Sequence, residues 1–195
     1  MRDYVIPLKK FSNKFKKISS IEQLKNFIQE RSAHVTQTTL FGYIKTRIGS
    51  RYALMFEDKV FSVSLNIAKW NIYMTALSDC TLYTFSYLID QKNLKQNDAE
   101  QVYISILEKE KNNGLEDELF NSSISDFKQR LRDIDWNNYY KEKPFLNSGL
   151  ALYNWSPIAD NLKTLDKIIV LNSIKLKWNV VENEFMELTK NLKLN

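Results

Sequence analysis

The chain has one cysteine, one histidine, three prolines and four glycines in 195 residues. Each scarcity excludes something. Cys80 alone cannot form an internal disulfide or a multi-cysteine metal site. A lone thiol suits a reducing compartment, so a cytoplasmic setting is the expectation. A single histidine, His34, cannot supply the paired Glu-x-x-His ligands of a di-metal bundle, and no metal or cofactor is expected. So few Gly and Pro, set among long periodic segments, argue against a turn-rich β fold. There is no uncharged apolar run long enough for a membrane span, and no apolar run follows the N-terminal charges as in a signal peptide. A Gly-rich phosphate loop, a dinucleotide fingerprint and a G-x-S-x-G nucleophile elbow are also missing.

What is present is globular: 44% apolar and 13% aromatic residues. The net charge of +5 is concentrated at one end. Residues 1–17 hold Arg2, Lys9, Lys10, Lys14, Lys16 and Lys17 against Asp3. Removing these six basic residues and one acidic residue from the 28 and 23 of the whole chain leaves 22 of each. The body, 18–195, is therefore formally neutral and a poor phosphate-binding surface, so nucleic acid is not the expected partner. In the arm, Leu8, Phe11 and Phe15 recur at helical spacing between the lysines. Such a basic amphipathic segment suits an anionic membrane surface or a protein partner. The expected organisation is an arm, 1–17, followed by one helical domain, 18–195.

The body reads as helices. Ser20 with Gln23 forms a capping box, Ser19 with Glu22 offers the same box one residue earlier, and Gly49 is the expected C′ stop. Gly42 within this helix costs stability unless another backbone packs close to it. The stretch from Val60 to about Lys92 has no Pro or Gly and is apolar on more than one side, as in a core helix. One stripe runs Val60, Val63, Ile67, Trp70, Met74, Leu77 and Thr81, and Phe61, Leu65, Ile72, Ala76, Tyr83 and Tyr87 follow others. Asn97 with Glu100 opens a shorter helix that stops at Gly114. Ser123 is the expected cap of another, after a weaker stretch 115–120. Residues 135–148 look like an aromatic-rich loop, followed by a short helix near 150–155. Ser156-Pro157 is the expected start of a final long helix, with an early stripe of Ile158, Leu162, Leu165 and Ile169 and a later one of Leu171, Ile174, Trp178, Val181, Phe185 and Leu188. Three long helices plus several shorter ones predict an all-α antiparallel helical bundle.

Lys69 and Asp79 lie in the core helix and need partners. In an antiparallel hairpin of the first two long helices, facing residue numbers sum to about 108–112, which puts His34 against the Met74–Ser78 turn. A buried polar network of His34, Gln37, Asn66, Lys69, Tyr73 and Asp79 is the resulting expectation. Its catalytic version uses His34 as base with Asp79 orienting it, and Lys69 as a further candidate. Its structural version is a satisfied network that fixes helix register, and this is the favoured one.

The segments His34-Val35-Thr36-Gln37-Thr38-Thr39-Leu40-Phe41-Gly42-Tyr43, with Lys45-Thr46-Arg47, and Asn66-Ile67-Ala68-Lys69-Trp70, with Leu77-Ser78-Asp79, resemble a small family of uncharacterised helical alphaproteobacterial proteins. Some of its members carry an automatic "esterase" label. The resemblance spans roughly residues 20–90. It implies a bacterial cytoplasmic setting and transfers no catalytic residue. The leading expectation is a non-enzymatic binding or accessory protein for a protein or apolar ligand, peripheral at the inner membrane through Lys9, Lys10, Phe11, Lys14, Phe15, Lys16 and Lys17. A homo-oligomer stays open as a partner state. The alternative is a small esterase-like hydrolase with a pocket around His34 and Asp79.

Overall fold

A computed structural model describes residues 17–92, 98–190 and 192. The basic arm, apart from Lys17, and the expected cap at Asn97 lie outside the described residues. The protein is an all-α antiparallel helical bundle, with no strand among the described residues. In chain order the helices are α1 (Ile21–Ile48), α2 (Tyr52–Met55), α3 (Lys59–Lys92), α4 (Asp98–Lys111), α5 (Asp117–Asp133), α6 (Leu146–Trp155) and α7 (Asp160–Thr189). The long ones, α1, α3 and α7, have 28, 34 and 30 residues.

Local chemistry sets most boundaries. The Ser20 hydroxyl accepts the Gln23 N–H, and the Gln23 side chain accepts the Ser19 N–H at 2.7 Å, so the box forms at Ser20 rather than at Ser19. Gly49 ends α1 with φ 67°, and its N–H returns to the Lys45 carbonyl. Two expected caps fail. Ser123 sits buried inside α5, which begins six residues earlier, after Glu116. Ser156 closes α6 instead of opening α7: its hydroxyl donates to the Leu152 carbonyl at 2.6 Å, and α7 starts only at Asp160.

α3 is the centre of the bundle. α1 runs antiparallel to it, with the Ser32 hydroxyl donating to the Ala76 carbonyl across the interface, a residue sum of 108. α7 runs antiparallel to α1, tied by Arg31 to Glu184 and by Arg47 to Asp166. The short α6 lies between α3 and α7, where Phe145 stacks on Trp178 at 4.1 Å and 9°. α4 and α5 cover the far side of α3, joined by Tyr103 stacked on Phe127. Ile18 is fully buried, and its N–H donates to the Leu188 carbonyl at 3.2 Å. No described helix is long and apolar enough to cross a membrane.

Two expected stripes are exposed only at their start: farther along α3 Trp70, Met74 and Leu77 are buried, and on α7 the later stripe of Ile174, Trp178, Val181 and Phe185 is the core face. Val60, Val63 and Ile67 are exposed, and Phe61, Leu65 and Ala68 take the core positions in the first turns of α3. On α7, Leu162, Leu165 and Ile169 are exposed, while Val170, Ile174, Trp178, Val181 and Phe185 are buried. Both segments carry two apolar stripes, and periodicity does not say which of two faces meets the core.

Candidate functional site

The expected single polar network is three separate ones. The first surrounds Asp79, which is fully buried. Arg130 of α5 donates to its Oδ1 at 2.6 Å, and the Ser148 N–H at the start of α6 donates to its Oδ2 at 2.7 Å. Arg130 also donates to the Tyr139 hydroxyl at 2.8 Å and to the Ser78 hydroxyl, and Tyr139 donates on to the Pro144 carbonyl at 2.7 Å. Trp178 Nε1 donates to the Ser148 hydroxyl at 3.0 Å, bringing α7 into the same chain of contacts. Burial pushes the Asp79 carboxyl up, against the pull of Arg130 and of the Ser148 N–H. Burial likewise opposes the Arg130 charge, but Asp79 and Tyr139 beside it hold its pKa above the ordinary value.

The second network lies on the α4 side of α3. Glu110 is fully buried, and its Oε1 accepts from Tyr73 at 2.6 Å and from Gln29 at 2.7 Å. Its Oε2 accepts from Asn113 at 2.8 Å. Lys69 is buried, with its ammonium 4.9 Å from the centre of the Trp70 ring. Burial lowers the Lys69 pKa, and the charge of Glu110 works in the opposite direction. Burial followed by Glu110 raises Tyr73 well above its ordinary value, so it stays a neutral donor.

The third network joins α1 to α7. Arg31 grips Glu184 with two bonds of 2.5 and 2.6 Å. Asp166 pairs with Arg47 and accepts from the Tyr43 hydroxyl at 2.9 Å. His34 belongs here. It is half-buried, and its charged neighbours are Arg31, Lys177 and Glu184, on α1 and α7. Burial, then Arg31 and Lys177, lower its pKa. His34 thus turns toward α7, about 200° around the helix from the α3-facing Ser32, and the expected His34–Asp79 pairing does not form. Gln37 is buried in α1, and Asn66 is half-buried at a shallow depression beside Ile67 and Trp70. Neither meets Asp79.

Sequence reasoning missed Arg130, Glu110, Ser148 and Trp178. A signal existed for Glu110: Val102, Tyr103 and Ile106 set a stripe on α4, and Glu110 continues it at i+4 from Ile106. Arg130 carries a weaker one, three residues after the buried Phe127.

Two depressions, of about 260 and 530 Å³, meet at Asp126, Arg130 and Asn147. In the smaller one the polar groups on α3 are already engaged: Asn71 bonds back to the Ile67 carbonyl, Thr75 to that of Asn71, and Ser78 accepts from Arg130. Ser78 has no imidazole beside it, so this arrangement holds helices together and lacks a nucleophile–base pair.

A different feature faces outward. On α7, Leu165, Ile168, Ile169, Leu176 and Val180 are 76%, 74%, 67%, 66% and 65% exposed. They lie on the side of the helix opposite its core stripe. A groove of about 260 Å³ runs beside them between α6 and α7, lined by Leu146, Gly149, Leu171 and Trp178. No protein-family model, curated protein or solved structure matches the chain.

Proposed function

We propose that this is a non-enzymatic docking protein, whose bundle is a rigid body that offers the outer face of α7 to another protein. One observation carries the reading: five large aliphatic side chains stand exposed along four turns of one helix, with the inner face of that helix already packed. Single exposed hydrophobes are ordinary, but a contiguous aliphatic ridge marks an interaction surface. The engaged state of Asp79 and Glu110 supports the same reading, since both carboxylates serve helix packing. The hydrolase alternative required His34 at Asp79, and it loses its geometry.

The test is a photoreactive side chain at Ser173, between the two halves of the ridge, in the full chain in its native host. A protein adduct that disappears when Leu176→Glu is added supports docking through this face. A folded protein that gives no adduct sinks it. The basic arm adds a second expectation, resting on charge segregation: attachment to an anionic surface. Co-sedimentation with anionic vesicles that weakens with salt, and is lost without residues 1–17, supports it.

A further inference from the structure

We propose that the basic arm, residues 1–17, docks on its own body, in the acid-rimmed cleft between α5 and the start of α6. This goes beyond the α7 docking reading and does not depend on it. The first observation is the cleft. It encloses about 530 Å³, with Leu82, Ile134 and Tyr139 as its apolar floor and the exposed Asp126, Asp133, Asp135 and Glu142 around them. The basic residue among them is Arg130, and its charge is spent on the fully buried Asp79. The side chains of Asp126, Asp133 and Glu142 form no hydrogen bond or ion pair among the described residues. Asp135 accepts from the Asn137 N–H at 3.1 Å and from the Asn138 amide at 2.7 Å, both neutral. Lys141 also bears on Asp135, but it is paired with Asp90 at 3.4 Å. Glu100 on α4 and Asp117 at the start of α5, by contrast, each meet a lysine. A cleft lined by one sign of charge over an apolar floor focuses its field on a cation that carries apolar groups.

The second observation is that this chain carries such a segment, attached at the same end of the bundle. Residues 1–17 hold six basic residues against one acidic residue, with Leu8, Phe11 and Phe15 among the lysines. The described residues begin at Lys17, and the next residue, Ile18, donates its N–H to the Leu188 carbonyl near the end of α7. Contacts lead from there to the cleft. Phe185, one turn back on α7, meets the Tyr87 ring at 5.6 Å, and Tyr87 meets Tyr140 at 5.3 Å. Tyr139, next to Tyr140, lines the cleft. Sixteen residues span about 24 Å as a helix and about 50 Å extended, so the cleft is within the arm's reach. Attachment in one chain gives the arm an effective concentration on the order of millimolar at the cleft. Exposed ion pairs are weak one by one, and at that concentration several together suffice. An anionic surface would compete with the cleft for the same lysines.

The experiment uses the purified full chain at low salt. A carbodiimide joins lysines directly to the carboxylates they touch, and the linked peptides are read by mass spectrometry. Lys109–Glu22 and Lys128–Glu100, at 2.9 and 3.1 Å, are internal controls. Lys9, Lys10, Lys14 and Lys16 are expected to join Asp126, Asp133, Asp135 or Glu142. Mixing chains of two isotopic masses separates links within a chain from links between chains. A variant with Asp126→Asn, Asp133→Asn and Glu142→Gln tests the role of charge. These side chains hold nothing in place, so the control links should persist. Asp135 keeps its carboxylate in this variant, and its own links to the arm should fall about tenfold. Control links without arm–cleft links overturn the proposal. Arm–cleft links found only between chains overturn docking on the same body. Asp135 links indifferent to the three substitutions overturn the role of the acidic rim.

Discussion

Removing the Arg130 guanidinium should be among the most costly single changes in this protein. Arg130→Leu leaves the fully buried Asp79 with no charged partner and only Ser148, through its N–H and its hydroxyl, to donate to it. Breaking one half of a buried ion pair costs about 3–5 kcal/mol, because the surviving charge is neither solvated nor paired. A domain of this size shifts by about 2–4 °C per kcal/mol, so the midpoint should fall by roughly 6–20 °C. Asp79→Asn is milder. The amide oxygen still accepts the Ser148 N–H, and Arg130, whose side chain is 23% exposed, can reach water. Its cost should be about 1–3 kcal/mol, the range for an imperfectly replaced hydrogen-bond partner. The double variant should be less unstable than the two losses added, with a coupling of about 2 kcal/mol in urea unfolding followed by circular dichroism. The pH dependence has a defined sign. Burial already raises the Asp79 carboxyl, and without Arg130 that pull is less opposed. The native state then binds a proton that the unfolded chain releases, so the Arg130→Leu deficit should shrink between about pH 8 and about pH 5. Additive single losses, or an Arg130→Leu protein within about 0.5 kcal/mol of wild type, would refute the assignment of Asp79 and Arg130 as a coupled buried pair.

His34 gives a second pH signal. Its native pKa is lowered by burial and then by Arg31 and Lys177, so the unfolded ring, at 6.5, takes up its proton first. Stability in urea should fall as pH drops through that value toward the native pKa, and His34→Gln should flatten the slope. Two helical glycines give different outcomes for one substitution. A Cβ at Gly42 meets nothing within 4 Å, so Gly42→Ala should stabilise by about 0.5–1 kcal/mol. At Gly149 it would lie 3.1 Å from Leu171 Cδ2 and 3.5 Å from Ile174 Cγ2, so Leu171 must shift to admit it and Gly149→Ala should gain less than Gly42→Ala in melting midpoint. Thr36 Oγ1 is buried with no hydrogen-bond partner, so Thr36→Val, which keeps the shape, should raise stability by about 1 kcal/mol; a loss would mean the hydroxyl has a bound water.

The fold class was legible from the long periodic segments, and the ends of α1 and the end of α4 because Ser20, Gly49 and Gly114 mark them by local chemistry, which needs only neighbours in sequence. Ser123 and Ser156 show where that logic stops. A serine followed by an acidic residue or a proline reads as an N-cap, but a hydroxyl can bond back to its own helix as well. Ser156 does this to end α6. The site was half legible. Asp79 and Lys69 announced themselves as charges within an apolar helix, and Tyr73 as part of the same region. Their partners were not, because Arg130 and Glu110 sit 51 and 41 positions away and reach α3 from helices whose packing only the whole chain decides. His34 misled for the opposite reason. The register of α1 on α3 was right, as Ser32 on Ala76 shows, but a shift of two residues turns a side chain about 200° around the helix axis.

The placement of charge also explains why one face of α7 can be apolar and open without leaving the bundle's own packing ambiguous. An aliphatic stripe on each side of α7 would let the helix pack either way round, since burial alone rewards both. Arg31–Glu184 and Arg47–Tyr43–Asp166 remove that choice. Turning α7 by half a revolution would carry Glu184 and Asp166 away from α1 and leave Arg31, 9% exposed, buried without its carboxylate. Trp178 adds a third tie by donating to Ser148, which is itself held to Asp79. The polar contacts of the core thus act as register pins, a role buried ion pairs serve better than they serve net stability. With the inner face fixed by three polar ties, the ridge of Leu165, Ile169, Leu176 and Val180 stays outward.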